Sequence, residues 1–68
     1  MERIVIAVAG MSCQGCVQSV TAALRALPGV EQVEVSLASG QASVACDPAL
    51  VSAAELRQVV EEAGFDAS

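Results

Sequence analysis

Apolar and polar residues alternate with two different periods along this chain, and each change of period marks an element. Between Arg3 and Ala9, Ile4, Ile6 and Val8 share one face at period two, while Val5 and Ala7 make the opposite face apolar as well. A strand apolar on both sides reads as a central one. Gly10 to Gly15 has no period and reads as a loop. From Cys16 the spacing turns helical: Val17, Val20, Leu24 and Leu27 form one stripe, with Gln18, Ser19, Thr21 and Arg25 elsewhere on the wheel. Pro28-Gly29 stops that helix.

Period two returns from Val30 to Leu37, where Val33, Val35 and Leu37 point one way and Glu34 and Ser36 the other. Ala38-Ser39-Gly40 is a turn. Gln41 to Cys46 is the returning strand, with Ala42, Val44 and Cys46 on one face. Asp47-Pro48 breaks it. Ser52 with Glu55 three residues later has capping-box spacing, a cap worth ~0.5–2 kcal/mol. Leu56, Val59, Val60 and Ala63 form the stripe of a second helix, Gly64 suits a left-handed helix end, and Phe65 to Ser68 makes a short last strand. The order strand, helix, strand, strand, helix, strand predicts an α+β fold. Two amphipathic helices cover one face of a four-stranded antiparallel sheet, the ferredoxin-like βαββαβ sandwich, as a single domain over residues 1–68.

Composition removes several functions. The chain has three Arg and no Lys against eight Asp and Glu, a net charge of −5, so it lacks the basic stripe that binds nucleic acid. One aromatic, Phe65, makes no stacking platform, and the lack of His removes imidazole chemistry. The apolar run Ile4 to Val8 is too short for a signal-peptide core, and no stretch approaches the ~20 apolar residues of a membrane helix. A soluble, cytoplasmic protein with no membrane insertion is expected. In a reducing cytosol, three Cys point to metal binding or redox chemistry rather than a structural disulfide.

The chemistry concentrates in Gly10-Met11-Ser12-Cys13-Gln14-Gly15-Cys16. Two thiols three positions apart straddle a loop-to-helix junction, where unpaired N–H groups favour thiolate. Two thiolates without His or carboxylate form a soft site of low coordination number. Such a site selects Cu(I) over hard ions, and it offers half the ligands of structural zinc. Gly10 and Gly15 let the loop bend and stay open.

GMSCQGC followed by an amphipathic helix, then LPGV, a Val-rich hairpin and EEAGFDA, resembles the heavy-metal-associated domain over essentially the whole chain. That domain occurs in small copper chaperones and in the N-terminal regions of copper-exporting P-type ATPases. The resemblance implies that Cys13 and Cys16 bind one Cu(I) in near-linear fashion. An incoming Cys would then take the ion through a transient three-coordinate bridge, and the recipient would be a copper-transporting P-type ATPase. It also implies that Met11 packs inward and tethers the loop, and that Phe65 comes up beside the loop. Ser12 and Gly15 complete the support of the site. Many members carry a bulky aromatic near Cys46, so the thiol there is a departure. Phe near position 65 is frequent in the ATPase domains, and Tyr is familiar in free bacterial chaperones.

Alternatives remain on the same residues. The chain could be an N-terminal domain of a copper or heavy-metal ATPase, a carrier of another soft ion such as Hg(II), or a small thiol–disulfide oxidoreductase. Met11 as a third sulfur ligand is chemically suited to Cu(I), but a Met at this spacing reads better as core filler. Cys46 shares its face with Ala42 and Val44, and the fold puts it ~15 Å or more from the loop, in the core. The apo chain is expected as a monomer; open loops with two ligands each also let Cu(I) bridge two copies.

Overall fold

The computed structural model describes Glu2 to Ala67. Its elements are β1 (Glu2–Ala9), α1 (Gln14–Arg25), β2 (Val30–Ser36), β3 (Gln41–Cys46), α2 (Ala53–Glu62) and β4 (Asp66–Ala67). The four strands form one sheet in the order β2-β3-β1-β4, every neighbouring pair antiparallel. The helices lie together on one face, α1 against β2 and α2 against β4. This is the expected ferredoxin-like sandwich.

The core forms where the apolar stripes meet. Ile6 and Val8 of β1, Ala42, Val44 and Cys46 of β3 and Val33 of β2 point at Val20 and Leu24 of α1 and at Leu56 and Val60 of α2. Among the described residues, no buried core position is polar, so the interior is held by apolar burial and packing alone. Ser52 caps α2 in a full capping box: its hydroxyl accepts the Glu55 N–H at 3.3 Å, and the Glu55 carboxylate accepts the Ser52 N–H at 3.1 Å.

Several details depart from the periodic expectation. The helix expected from Cys16 begins at Gln14, because the Cys13 carbonyl already accepts the Cys16 and Val17 N–H groups. Gln14 and Gly15 carry no apolar signal, so a hydrophobic stripe cannot reveal that first turn. β1 is central in the sheet, yet only one of its faces is covered. Val5 is 54% exposed and Ala7 is exposed, because both helices lie on the opposite side. On that open face the Arg3 guanidinium donates to the Ser43 hydroxyl at 2.8 Å and lies 3.8 Å from the Glu34 carboxylate.

β2 ends at Ser36, and Leu37 belongs to the turn, which Gly40 closes by donating its N–H to the Ser36 carbonyl. Strict alternation would put Val30 on the wet face with Gln32 and Glu34. A register shift between Val30 and Gln32 returns Val30 to the core side, opposite Cys46. Ala63 is the exposed C-cap of α2 and stands outside its stripe. The last strand holds Asp66 and Ala67, and the expected Ser68 lies outside the described residues.

Leu24→Ala should cost ~2–5 kcal/mol, because Leu24 is fully buried between sheet and helices. Val5→Ser should cost less than ~1 kcal/mol, because its face is open. Urea denaturation of both variants measures the difference.

Candidate metal centre

The site begins with the end of β1. Gly10 takes φ 97°, a conformation that side chains rarely adopt, and there the chain leaves the sheet. Met11 turns back and packs, half-buried, against the core. This packing ties the start of the loop to the core. Ser12 is exposed. Cys13 is extended, with φ −157° and ψ 169°, and is the N-cap of α1.

The N-cap position decides the geometry of the thiols. The first turn of a helix brings the side chains of the N-cap and of the third helical residue together, which is why the capping box works. In α2 those positions hold Ser52 and Glu55, whose side-chain oxygens lie 3.3 Å apart. In α1 they hold Cys13 and Cys16, whose sulfurs also lie 3.3 Å apart. Cys13 makes no side-chain cap, and α1 has no acidic residue in its first turn, so the positive end of the helix faces the sulfurs uncompensated.

That environment favours the anion. The Cys16 thiol is held below its ordinary pKa, chiefly by a hydrogen bond from the Ser12 backbone and then by one from the Cys13 side chain. Burial opposes that shift, and the Ser12 hydroxyl adds a smaller lowering effect than burial removes. Ser12 thus acts on the Cys16 thiol through both its backbone and its side chain. Cys13 is exposed and Cys16 half-buried. Among the described residues, no group of three His, Cys, Asp or Glu could hold a metal together. Among the described residues, the Cys13 and Cys16 sulfurs therefore stand as a pair with no third His, Cys, Asp or Glu grouped with them.

Phe65 reaches the site through the way α2 stops. Gly64, at φ 101°, donates its N–H to the Glu61 carbonyl at 3.0 Å, and Phe65 donates to Val60 at 3.2 Å, the two bonds of a Schellman motif. The reversal sends Phe65 back over the core, where its ring edge lies 3.6 Å from the place a Cβ on Gly10 would occupy. β4 then pairs with Val8 and Ala9, fixing this segment beside the loop. Cys46 stays away from the site. It is fully buried at the start of the sheet, paired with Glu2, at the far end of β1 from Gly10.

The expected bend at Gly15 is not found, because Gly15 lies in the first turn of α1 with a helical backbone. Sequence reasoning also left unseen that Cys13 is a helix cap. The signal was present, since Cys13 and Cys16 repeat the spacing of Ser52 and Glu55.

The heavy-metal-associated domain model matches residues 5–66. The chain belongs to this family. Copper-transporting ATPase 2 of Homo sapiens is 48% identical over 63 residues, which make up 93% of this chain and 4% of that protein. Copper-transporting ATPase 1 of Mus musculus is 40% identical over 67 residues and is again matched over 4% of its length, so the chain spans a small fraction of these relatives. A copper binding domain from HMA7, a P-type ATPase, has a TM-score of 0.98 at 40% identity and covers 100% of this chain and 92% of its own. The CopZ metallochaperone has a TM-score of 0.96 at 33% identity, covering 98% and 100%. This heavy-metal-associated domain is thus related both to a copper metallochaperone and to copper-transporting ATPases.

The fold holds the Cys16 thiol below its ordinary, unfolded pKa, so ionisation of that thiol stabilises the fold. The contribution is complete above the unfolded pKa and is lost as pH falls through the folded value. Thiolate absorbance should accordingly rise at lower pH in the folded chain than in the urea-unfolded chain. Coincident titrations would remove the assigned shift.

Proposed function

We propose that this chain is a cytoplasmic Cu(I) carrier, a single unit that holds one ion on Cys13 and Cys16 and passes it to a copper-transporting P-type ATPase. The observation that carries this reading is the pair of sulfurs 3.3 Å apart at an exposed, uncompensated helix start, with no third His, Cys, Asp or Glu grouped with them among the described residues. Thiolates suit a soft monovalent ion, and two of them leave it open to a third ligand. Zinc in a structural site takes four ligands and would be held poorly.

Each residue has a part in that task. Cys16, half-buried and favoured as thiolate, is the steadier ligand. Cys13, exposed on an extended residue, is the one free to move. Two metal–thiolate bonds set nearly in line, at the ~2.3 Å known for zinc, would span ~4.6 Å, so the sulfurs part to admit the ion. Met11 and Phe65 brace the loop from the core and leave an apolar rim around it. Transfer proceeds by ligand exchange, as an incoming thiolate replaces one of the pair. The chain is then a carrier and not an enzyme. It is a monomer when apo, and Cu(I) shared between two open loops bridges a dimer. No helix of the described chain is long and apolar enough to cross a membrane, which agrees with a partner that is itself the membrane protein.

The 48% identity to a copper-transporting ATPase favours a second reading, in which the carrier is a metal-binding domain of such an ATPase. Both readings share the dithiol chemistry. The same pair would also take Hg(II), and a reversible disulfide would make it an oxidoreductase.

Competitive titration with Cu(I), Zn(II) and Hg(II) should give one Cu(I) per chain, with uptake lost in Cys13→Ser and Cys16→Ser and kept in Cys46→Ser. Uptake surviving loss of the pair, or preference for Zn(II), would sink the proposal, and insulin reduction should be absent. Docking through the rim of Met11, Gly15 and Phe65, on a chain without Lys, should depend weakly on salt. A steep loss of ATPase affinity between low and high salt would contradict that rim.

A further inference from the structure

Gly15 has no structural reason to be glycine. Gly10, Gly29, Gly40 and Gly64 all have positive φ, but Gly15 does not. It lies in the first turn of α1, where glycine is a poorer helix former than alanine. Packing does not demand glycine either. A Cβ at Gly29 would sit 2.7 Å from the Leu50 Cβ, whereas a Cβ at Gly15, apart from its adjacent residues and its own helix backbone, would come within 4 Å of the Cys13 sulfur, at 3.7 Å. That is ordinary contact, so the fold would accept a side chain there. What the missing side chain leaves bare is one flank of that sulfur.

The bare flank belongs to the more accessible thiol. Cys13 is exposed and Cys16 half-buried, and the surrounding Ser12, Gln14 and Gly15 are all exposed. A side chain at position 15 would start in ordinary contact with the Cys13 sulfur, and a branched one would add bulk on that side of it.

We propose that Gly15 is a positioning residue for hand-over, keeping a flank of the Cys13 sulfur open for an incoming thiolate to reach Cu(I) held by the pair; this rests on the Cu(I)-carrier reading. In the step, a bond forms between the incoming sulfur and Cu(I), and the bond from Cu(I) to the Cys13 sulfur breaks. The Cys13 sulfur keeps its electron pair and leaves as thiolate, or as thiol after taking a proton from water. Copper and sulfur keep their oxidation states throughout.

The test separates rate from affinity. Wild type, Gly15→Ala and Gly15→Val are each loaded with one Cu(I) and mixed in stopped flow with a thioether-based fluorescent Cu(I) chelator, which attacks through sulfur. Equilibrium Cu(I) affinity and the melting temperature of the apo chain are measured alongside. Gly15→Val should slow transfer about tenfold, a factor that corresponds to ~1.4 kcal/mol in the barrier, with Gly15→Ala between it and wild type. Affinity and melting temperature should hold, or melting temperature should rise. Equal rates in all three loaded chains would overturn the inference alone, as would a slowing matched by an equal-fold gain in affinity. A wild type that takes up no stoichiometric Cu(I) would overturn the carrier reading, and the inference with it.

Discussion

The geometry of a helix's first turn is the constraint on which this molecule depends. An N-cap residue is extended while its carbonyl already accepts the first helical bonds, and this brings its side chain over that of the third helical residue. α2 uses the arrangement for stability, through Ser52 and Glu55. α1 uses it to hold the sulfurs of Cys13 and Cys16 3.3 Å apart beside unpaired N–H groups. α1 accordingly gives up an oxygen cap, which would bond to the first turn, in favour of a pair of soft donors. The Ser12 backbone just before the helix is the chief group holding the Cys16 thiol below its ordinary pKa, with the Cys13 side chain next.

The remainder of the fold holds that turn in place. β1 delivers the loop, Gly10 turns it out of the sheet, and Met11 ties it back to the core. From the other side, the stop of α2 directs Phe65 against Gly10, and β4 pairs with the end of β1. Among the described residues, the apolar core includes neither thiol of the pair and buries no polar side chain. The dithiol thus sits at the edge of the packing that defines the fold, and not within it.

Cys46 shows why the count of cysteines alone misleads. It is chemically the same donor as the other two, yet it pairs with Glu2 at the opposite end of β1 and is closed off from solvent. There it acts as a small apolar residue of the core. Separation along one strand is enough to divide identical side chains into a site and a filler.

Element types and order, the core stripes of both helices, the capping box at Ser52 and the candidate dithiol were all legible in the sequence. Each rests on local periodicity or on spacing within one turn. Tertiary structure decided what periodicity cannot carry. It left Val5 and Ala7 exposed on a central strand, because both helices chose the other face. It turned Val30 to the core side through a register shift that alternation does not announce. It began α1 at Gln14, since backbone bonds to the Cys13 carbonyl start a helix where no apolar residue marks it. It made Gly15 a helical residue beside a sulfur instead of a hinge. The physical reason is the same in each case: a sequence pattern records which residues share a face, whereas cover, register and the first hydrogen bond of a helix depend on partners distant along the chain or on backbone groups that every residue carries.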